Sequence, residues 1–483
     1  MTERIKIAWV YLFSALFLAV SLYFVVQKDT YLAFALPVVL GILLLYIFSI
    51  DKVMLLISFL TPLSINIEDM DVGLGISLPV EPMLFGVMLL FFVKLLHERS
   101  YDRRIAVHPI TLVIYLMFCW ILITTLTSEM PLVSAKFLVS RIWFVIPAFF
   151  VGALMFKKPE NISRFIWLYN IGLIFVIVYT IARHASFGFS EKSAHWVMSP
   201  LYNDHTAYGA ALAMFLILTI GYAFMPSLGK WRKIFIVSII VLLAVATLLS
   251  LSRAAWISIT GALGVLILVV LRIRFRWILI SLGAVIALFF TFQHQIIDAL
   301  EKNKQDSSAD IVEHIQSISN ISSDASNLER INRWQAALRL YHERPVLGWG
   351  PGTYQFVYGP FQRSKEKTII STNVGDKGNA HSEYIGPLSE MGMPGMLIII
   401  TLVGVMISRG IKAYQKSTYR KAKVISLSAT LALVSYFIHG LLNNFLDTDK
   451  LAVPVWACMA MIVVMDIYGD SLFNDTAQPS QSP

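Results

Sequence analysis

The chain is poor in cysteine and in charge. Its 483 residues include two cysteines, Cys119 and Cys458. Both lie inside long apolar runs, outside any CxxC or Cys/His grouping, which argues against a disulfide framework and a thiolate metal site. Charged residues make up 14% of the sequence, too few to cover a soluble protein of this size. No GxSxG nucleophile elbow occurs. No carboxylate pair has the spacing of a two-acid glycosidase or a metal-assisted transferase on the side of the spans where the candidate residues fall. Internal repeats are also missing, and with them the paired halves of many transporters.

What is abundant is apolar surface. Hydrophobic residues are 57% of the chain and the mean hydropathy is +0.69. Apolar runs reach the roughly 20 residues of a bilayer span again and again. The expected spans lie near 8–26, 31–50, 53–65, 78–96, 108–127, 137–156, 164–182, 205–225, 234–250, 254–271, 276–293, 384–408, 424–443 and 451–468. The expectation is an all-α polytopic membrane protein with about 12–14 transmembrane helices. The first run follows Arg4 and Lys6 as a signal peptide would, but it is long and carries no small-residue cleavage site, so it reads as a retained anchor.

The net charge of +9 does not indicate nucleic acid, because the basic residues sit in short loops between spans. Counting 53–65 as a crossing places Lys94, Arg99, Arg103 and Arg104 on the same side as Lys157, Lys158 and Arg164, as Lys230, Arg232 and Lys233, as Arg272, Arg274 and Arg276, and as the stretch from Arg409 to Lys423. By the positive-inside rule that side is cytoplasmic, with both termini. The expected divisions are a bundle over 1–293, a large outer loop over 294–382, further spans over 383–468 and a polar tail over 469–483. Within the loop, Glu301 to Asn327 is polar and without a motif. Leu328, Ile331, Trp334, Leu338 and Tyr341 then recur at helical spacing until Pro345 and the glycines of 348–352.

A few cations fall on the other side of the bilayer and call for a reason. Arg253 sits in a tight turn between two spans, where its planar fork of donors suits a phosphate; the alternative is a snorkelling anchor. Arg330 and Arg333 open the loop helix, and a helix arginine is ordinarily just solvated. His381 lies where the loop re-enters the membrane, either as a general base or as a hydrogen-bonded interfacial histidine. Asp204 and His205 stand at another span end, where they orient a substrate or serve as a second base, the alternative being helix capping by Asn203 or Asp204. Arg141 lies one turn inside a span and is a functional candidate, or is paired structurally, with Glu129 for instance. A transfer outside the cytoplasm has no nucleotide supply and needs a donor with its own leaving group. A lipid diphosphate sugar fits, with arginines stabilising the diphosphate and a base deprotonating the acceptor hydroxyl.

Three blocks in order, Ser252–Trp256, Arg330–Gly352 and Asn379–Gly395, resemble the O-antigen ligase and O-antigen polymerase superfamily. The resemblance covers roughly 250–400; the first half agrees in hydropathy only. It implies a GT-C-like helical fold and a metal-independent, inverting glycosyltransferase of the bacterial inner membrane, without a cofactor and with its site on the periplasmic face. Its donor is a glycan on undecaprenyl diphosphate and its acceptor lipid A core, another glycan or a protein. It further implies that Arg253 and Arg330 hold the diphosphate and that His381 is the base. Arg333 matches the motif position less well, although it could substitute from one turn away. The competing class is a transporter or flippase of a lipid-linked glycan, disfavoured because the polar outliers cluster at span ends rather than at the midplane. Within the superfamily, a protein O-oligosaccharyltransferase remains the alternative.

Overall fold

The computed structural model describes residues 3–28, 36–67, 76–226, 228–272, 325–367, 371 and 378–474. The expected span at 276–293 and the polar stretch up to residue 324 lie outside them. Contacts divide the chain into a first unit, Met1–Leu56, and a second, Ile57–Pro483. The first unit holds α1 (Glu3–Lys28), apolar over Ser14–Val26, and α2 (Leu36–Phe48).

From Ile50 on, the described residues are almost wholly helical, and α3 (Ile50–Leu60) crosses the boundary between the two units. This helix has 11 residues, about 17 Å at 1.5 Å per residue, short of the ~30 Å hydrocarbon core. A 3-10 turn at Pro62 ends it, and Ile65–Asn66 then pairs antiparallel with Ser77–Leu78. The helices that follow are α4 (Val80–Glu98), α5 (Pro109–Leu126), α6 (Pro131–Met155), α7 (Pro159–Ser186), α8 (His205–Ala223), α9 (Lys230–Leu249), α10 (Arg253–Val270), α11 (Ala325–Glu343), α12 (Ile385–Lys416), α13 (Arg420–His439) and α14 (Asp449–Asn474). All but α11 are long and apolar enough to cross a membrane, which makes ten among the described residues. The chain is thus an all-α multi-pass membrane protein.

Local chemistry sets the helix starts. Proline occupies the first turn of α5, α6 and α7, where its missing N–H costs nothing. Asp204 caps α8 by accepting from the amides of Thr206 and Ala207, each at 2.7 Å. The apolar windows of α13 and α14 are 78% and 83% buried, against 28% for α9 and α10. The C-terminal pair therefore forms the centre, and α9 and α10 leave most of their apolar side chains uncovered by the other described residues.

The two ends of this bundle differ in charge. At one end Lys157 and Tyr468 meet Asp102, His108 lies 3.1 Å and Arg409 3.7 Å from Asp466, and Ser417 donates to Asp470 at 2.7 Å. The basic loops therefore share one face. At the other end the Glu129 amide donates to the Trp349 carbonyl at 3.0 Å, Ser134 Oγ to the Pro351 carbonyl at 2.9 Å, and the Glu383 amide to the Gly440 carbonyl at 2.8 Å. Gly209 of α8 packs on Ser252 there as well.

The loop helix α11 lies at this second end, and the face it buries is not the one that carries the full apolar repeat. Ala336, Ala337 and Leu340 pack with Tyr354, Tyr358 and Ala380, flanked by Trp349, Val357, Phe361 and Ile385. Ile331 and Leu338, two members of the apolar repeat, are 42% and 37% exposed. Two alanines allow close backbone approach, and the same face buries the polar Glu329 and Asn332, which no apolar periodicity reveals. Leu328's side chain lies outside what is described.

Candidate functional site

The approach to the site is fixed by backbone. The segment 345–350 runs along the start of α12: Met393 N donates to Pro345 O at 2.9 Å, Trp349 N to Ser389 O at 3.2 Å and Gly350 N to Glu390 O at 2.8 Å. This pairing requires Gly392 at φ 67°, ψ −173°, a region open essentially to glycine. A Cβ there would sit 2.2 Å from the Val346 carbonyl oxygen. Gly392→Ala is accordingly expected to cost more than the ~1–3 kcal/mol of the backbone conformation alone. Thermal unfolding of the detergent-solubilised protein checks this; an unchanged Tm would show that 345–350 does not depend on the kink.

His381 stands just before α12 with φ 47°, its amide donating to Asn379 Oδ1 at 3.1 Å. Arg333 Nη1 reaches its Nε2 at 2.9 Å. A guanidinium only donates, so Nε2 accepts, and the neutral ring carries its proton on Nδ1. Burial, then the charges of Arg333 and Arg330, push the imidazole down to about 3; Asp204 and Glu329 oppose them. The ring is neutral at ordinary pH.

Arg333 is held on several sides. Its Nε donates to Glu329 Oε1 at 2.9 Å and Nη1 to the Asn379 carbonyl at 3.2 Å. The guanidinium carbon lies 5.9 Å from the centre of the Tyr358 ring, and Tyr354 Oη donates to the Arg333 carbonyl at 2.8 Å. Glu329, 2% exposed, also accepts from Ser371 Oγ. Asn332 Nδ2, itself beside Glu329, donates to Gln362 Oε1 at 2.8 Å. Burial pushes the Tyr354 phenol up, so it stays a neutral donor.

The remaining sequence candidates fall at the same end but in different roles. Arg330 is half-buried and its charge bears on His381. Arg253 is exposed in the first turn of α10, after the N-cap Ser252 and after Leu251 at φ 50°. His205 Nδ1 lies 3.2 Å from His195 Nδ1, with the rings at 88°. Of the two readings of Asp204, the capping one is realised. Arg141 donates to the Leu446 carbonyl at 2.8 Å over the Phe137 ring; the suggested Glu129 partner instead pairs with Arg344 at 2.7 Å. Arg344 also stacks on Trp349, so Glu129 is committed to the 344–349 turn.

Several neighbours were not read from the sequence. Buried Glu383 accepts from Tyr436 Oη at 2.6 Å and from the amides of Phe445 at 2.7 Å and Leu446 at 3.0 Å. Burial raises its carboxyl despite these donors. It thereby ties the residues after α13 to the strand of chain that bears His381. His439 and Asn443 come within 3.5 Å of each other, and Asn443 within 3.4 Å of Thr206. The Glu329–Arg333 pair had a visible signal, an i,i+4 acid–base spacing. The Glu383 contacts span more than fifty residues and had none. Among the described residues no group of three His, Cys, Asp or Glu side chains stands ready for a metal ion.

A multi-pass helical bundle with cations and a neutral histidine gathered at the end opposite its basic loops defines a membrane protein with a polar site at one surface. Residues 238–400, about a third of the chain, match the family model for O-antigen ligase, which supports a place in the O-antigen ligase and polymerase superfamily. Members are membrane enzymes of glycosyltransferase and ligase type. The segment contains Arg253, Arg330, Arg333 and His381, but neither Arg141 nor His205. An uncharacterized protein of Haemophilus influenzae (strain ATCC 51907 / DSM 11121 / KW20 / Rd) is 22% identical over 229 residues, 47% of this chain and 55% of that protein. The chain thus matches about half the length of that curated relative.

Proposed function

We propose that the protein transfers a saccharide from an undecaprenyl-diphosphate-type donor to a hydroxyl acceptor at the periplasmic face of the bacterial inner membrane. The acceptor is lipid A core or a growing polysaccharide, with a protein side chain as the alternative. The single observation that carries this reading is the contact of Arg333 with a neutral His381 beside Arg330. It couples an anion-binding cation to a proton acceptor inside the family segment. In the transfer, the acceptor oxygen attacks the anomeric carbon as the bond to the diphosphate oxygen breaks, with inversion. The leaving electron pair is stabilised by Arg253, Arg330 and Arg333, and the hydroxyl proton passes to His381. Arg141 and His205 are proposed to shape the surroundings. No metal is assigned a part.

Purified protein given a lipid-linked glycan and an acceptor tests this directly. Covalent product is expected without a membrane gradient and in the presence of chelator. Movement of the lipid-linked glycan across vesicles with no product would instead make it a flippase. Arg253→Ala should lower transfer by about 10²–10³-fold, and Arg253→Lys by less, because charge is kept while the bidentate fork is lost. Normal donor affinity and turnover in Arg253→Ala would remove Arg253 from the site.

The proposed orientation puts the basic-loop face in the cytoplasm, with residues 294–382 outside. In a background lacking Cys119 and Cys458, an impermeant maleimide should label Val346→Cys in spheroplasts, and Lys416→Cys only after permeabilisation. The reverse pattern would invert the topology.

A further inference from the structure

The nitrogen that His381 needs as a base is already occupied. Arg333 Nη1 donates to Nε2 at 2.9 Å, and an arginine keeps its proton at any physiological pH. The Nε2 lone pair therefore points at a permanent cation, and the other ring nitrogen carries the proton. In this arrangement His381 takes no proton from a hydroxyl. The guanidinium is also held from behind by Glu329, whose carboxylate meets Nε at 2.9 Å and is itself fixed by Ser371 and Asn332. Gly378 passes so close that a Cβ there would lie 2.9 Å from the guanidinium carbon, which leaves Arg333 little room to drift off on its own.

We infer that Arg333 masks the base in the donor-free enzyme, that Glu329 is the positioning residue holding it there, and that the anionic diphosphate of the donor draws the guanidinium away and frees Nε2. This rests on the proposed donor chemistry and adds an order to it: the lipid diphosphate binds before the acceptor hydroxyl can be activated. The exchange is favourable because a diphosphate is a stronger, bidentate partner for guanidinium than a neutral imidazole nitrogen. The diphosphate must also outweigh the Glu329 ion pair and the hydrogen bond to the Asn379 carbonyl that the movement gives up. The device also keeps the base from acting before a donor is in place.

Diethyl pyrocarbonate reacts with an unprotonated, accessible imidazole nitrogen, so the rate of carbethoxylation of His381, followed by peptide mass spectrometry, reads the mask. In the purified full chain at neutral pH, His381 should react slowly. Saturating farnesyl diphosphate should speed the reaction severalfold and farnesol should not, while binding of the diphosphate is measured in parallel. Arg333→Gln should react fast without ligand, and Glu329→Gln should fall between. His342, exposed on the same helix, gives the reference rate in each sample. Diphosphate binding that leaves the His381 rate unchanged or lowers it overturns the mask while leaving the donor assignment standing. No diphosphate binding overturns both. An Arg333→Gln protein, monodisperse and with an unchanged His342 rate, that still reacts slowly at His381 also overturns the mask, whatever the ligand does.

Discussion

His381→Gln should lower single-turnover transfer by about 10²–10⁴-fold, the range for a general base, while the lipid diphosphate donor still binds. Glutamine is the informative replacement because its amide can accept the Arg333 hydrogen bond at the place of Nε2 and so keep α11 and the start of α12 together. What it cannot do is take a proton. The pH dependence should differ from that of an ordinary histidine near 6.5. In the free enzyme, burial and then Arg333 and Arg330 hold the imidazole down to about 3. The neutral, proton-accepting form is therefore fully present above that value and is lost only as pH falls toward it. The plot of log kcat/KM should thus show no acid limb between pH 5 and 8 attributable to His381. The donor-bound enzyme has diphosphate charge beside the same arginines, so any acid limb in kcat should lie above that in kcat/KM. Near-normal turnover in His381→Gln would reduce His381 to a positioning group, and His205 would be the next candidate base.

Hydropathy made the bundle legible because each span is a local property, roughly 20 apolar residues bounded by proline, charge or a cap. It reads composition rather than length of helix, however. That is why 53–65, counted as a crossing, is an eleven-residue helix ended at Pro62. The ten spans are those found among the described residues; 276–293 and residues 31–35 lie outside these.

The site was legible in residue type but not in pairing. His381 and Arg333 are forty-eight positions apart, and only the family resemblance ranked Arg330 above Arg333. The structure sets Arg333 against the imidazole because α11 turns its Glu329, Asn332 and Arg333 side toward 358–381. The apolar repeat at Ile331 and Leu338 pointed the other way. A short helix that buries alanines and a glutamate has too weak an amphipathic signal to fix its rotation. Arg141 shows the complementary limit. An arginine inside a span announced a buried partner, but that partner is a backbone carbonyl three hundred residues away, which no side-chain pattern encodes.

Arg333→Ala should carry the second large loss, and it should be a different kind of loss. Removing the guanidinium takes away a cation from the departing diphosphate, worth about 10²–10³-fold in transfer, and it leaves buried Glu329 without its ion-pair partner. It also deletes the largest charge acting on His381. Burial and Arg330 still hold the imidazole down, but less strongly, so its pKa rises from about 3. The acid limb of kcat/KM should then move to higher pH even as the plateau falls. A residue that merely props up α11 predicts a lower plateau with the limb in place, or an unstable protein. Arg333→Lys separates the two further: it keeps a charge near His381 and Glu329 but not the fork, so it should restore Glu329 pairing and stability while recovering little of the transfer rate. Full activity in Arg333→Lys would mean that a point charge suffices at this position. A limb unmoved in Arg333→Ala, with folded protein and normal donor binding, would show that Arg333 does not govern the protonation of His381.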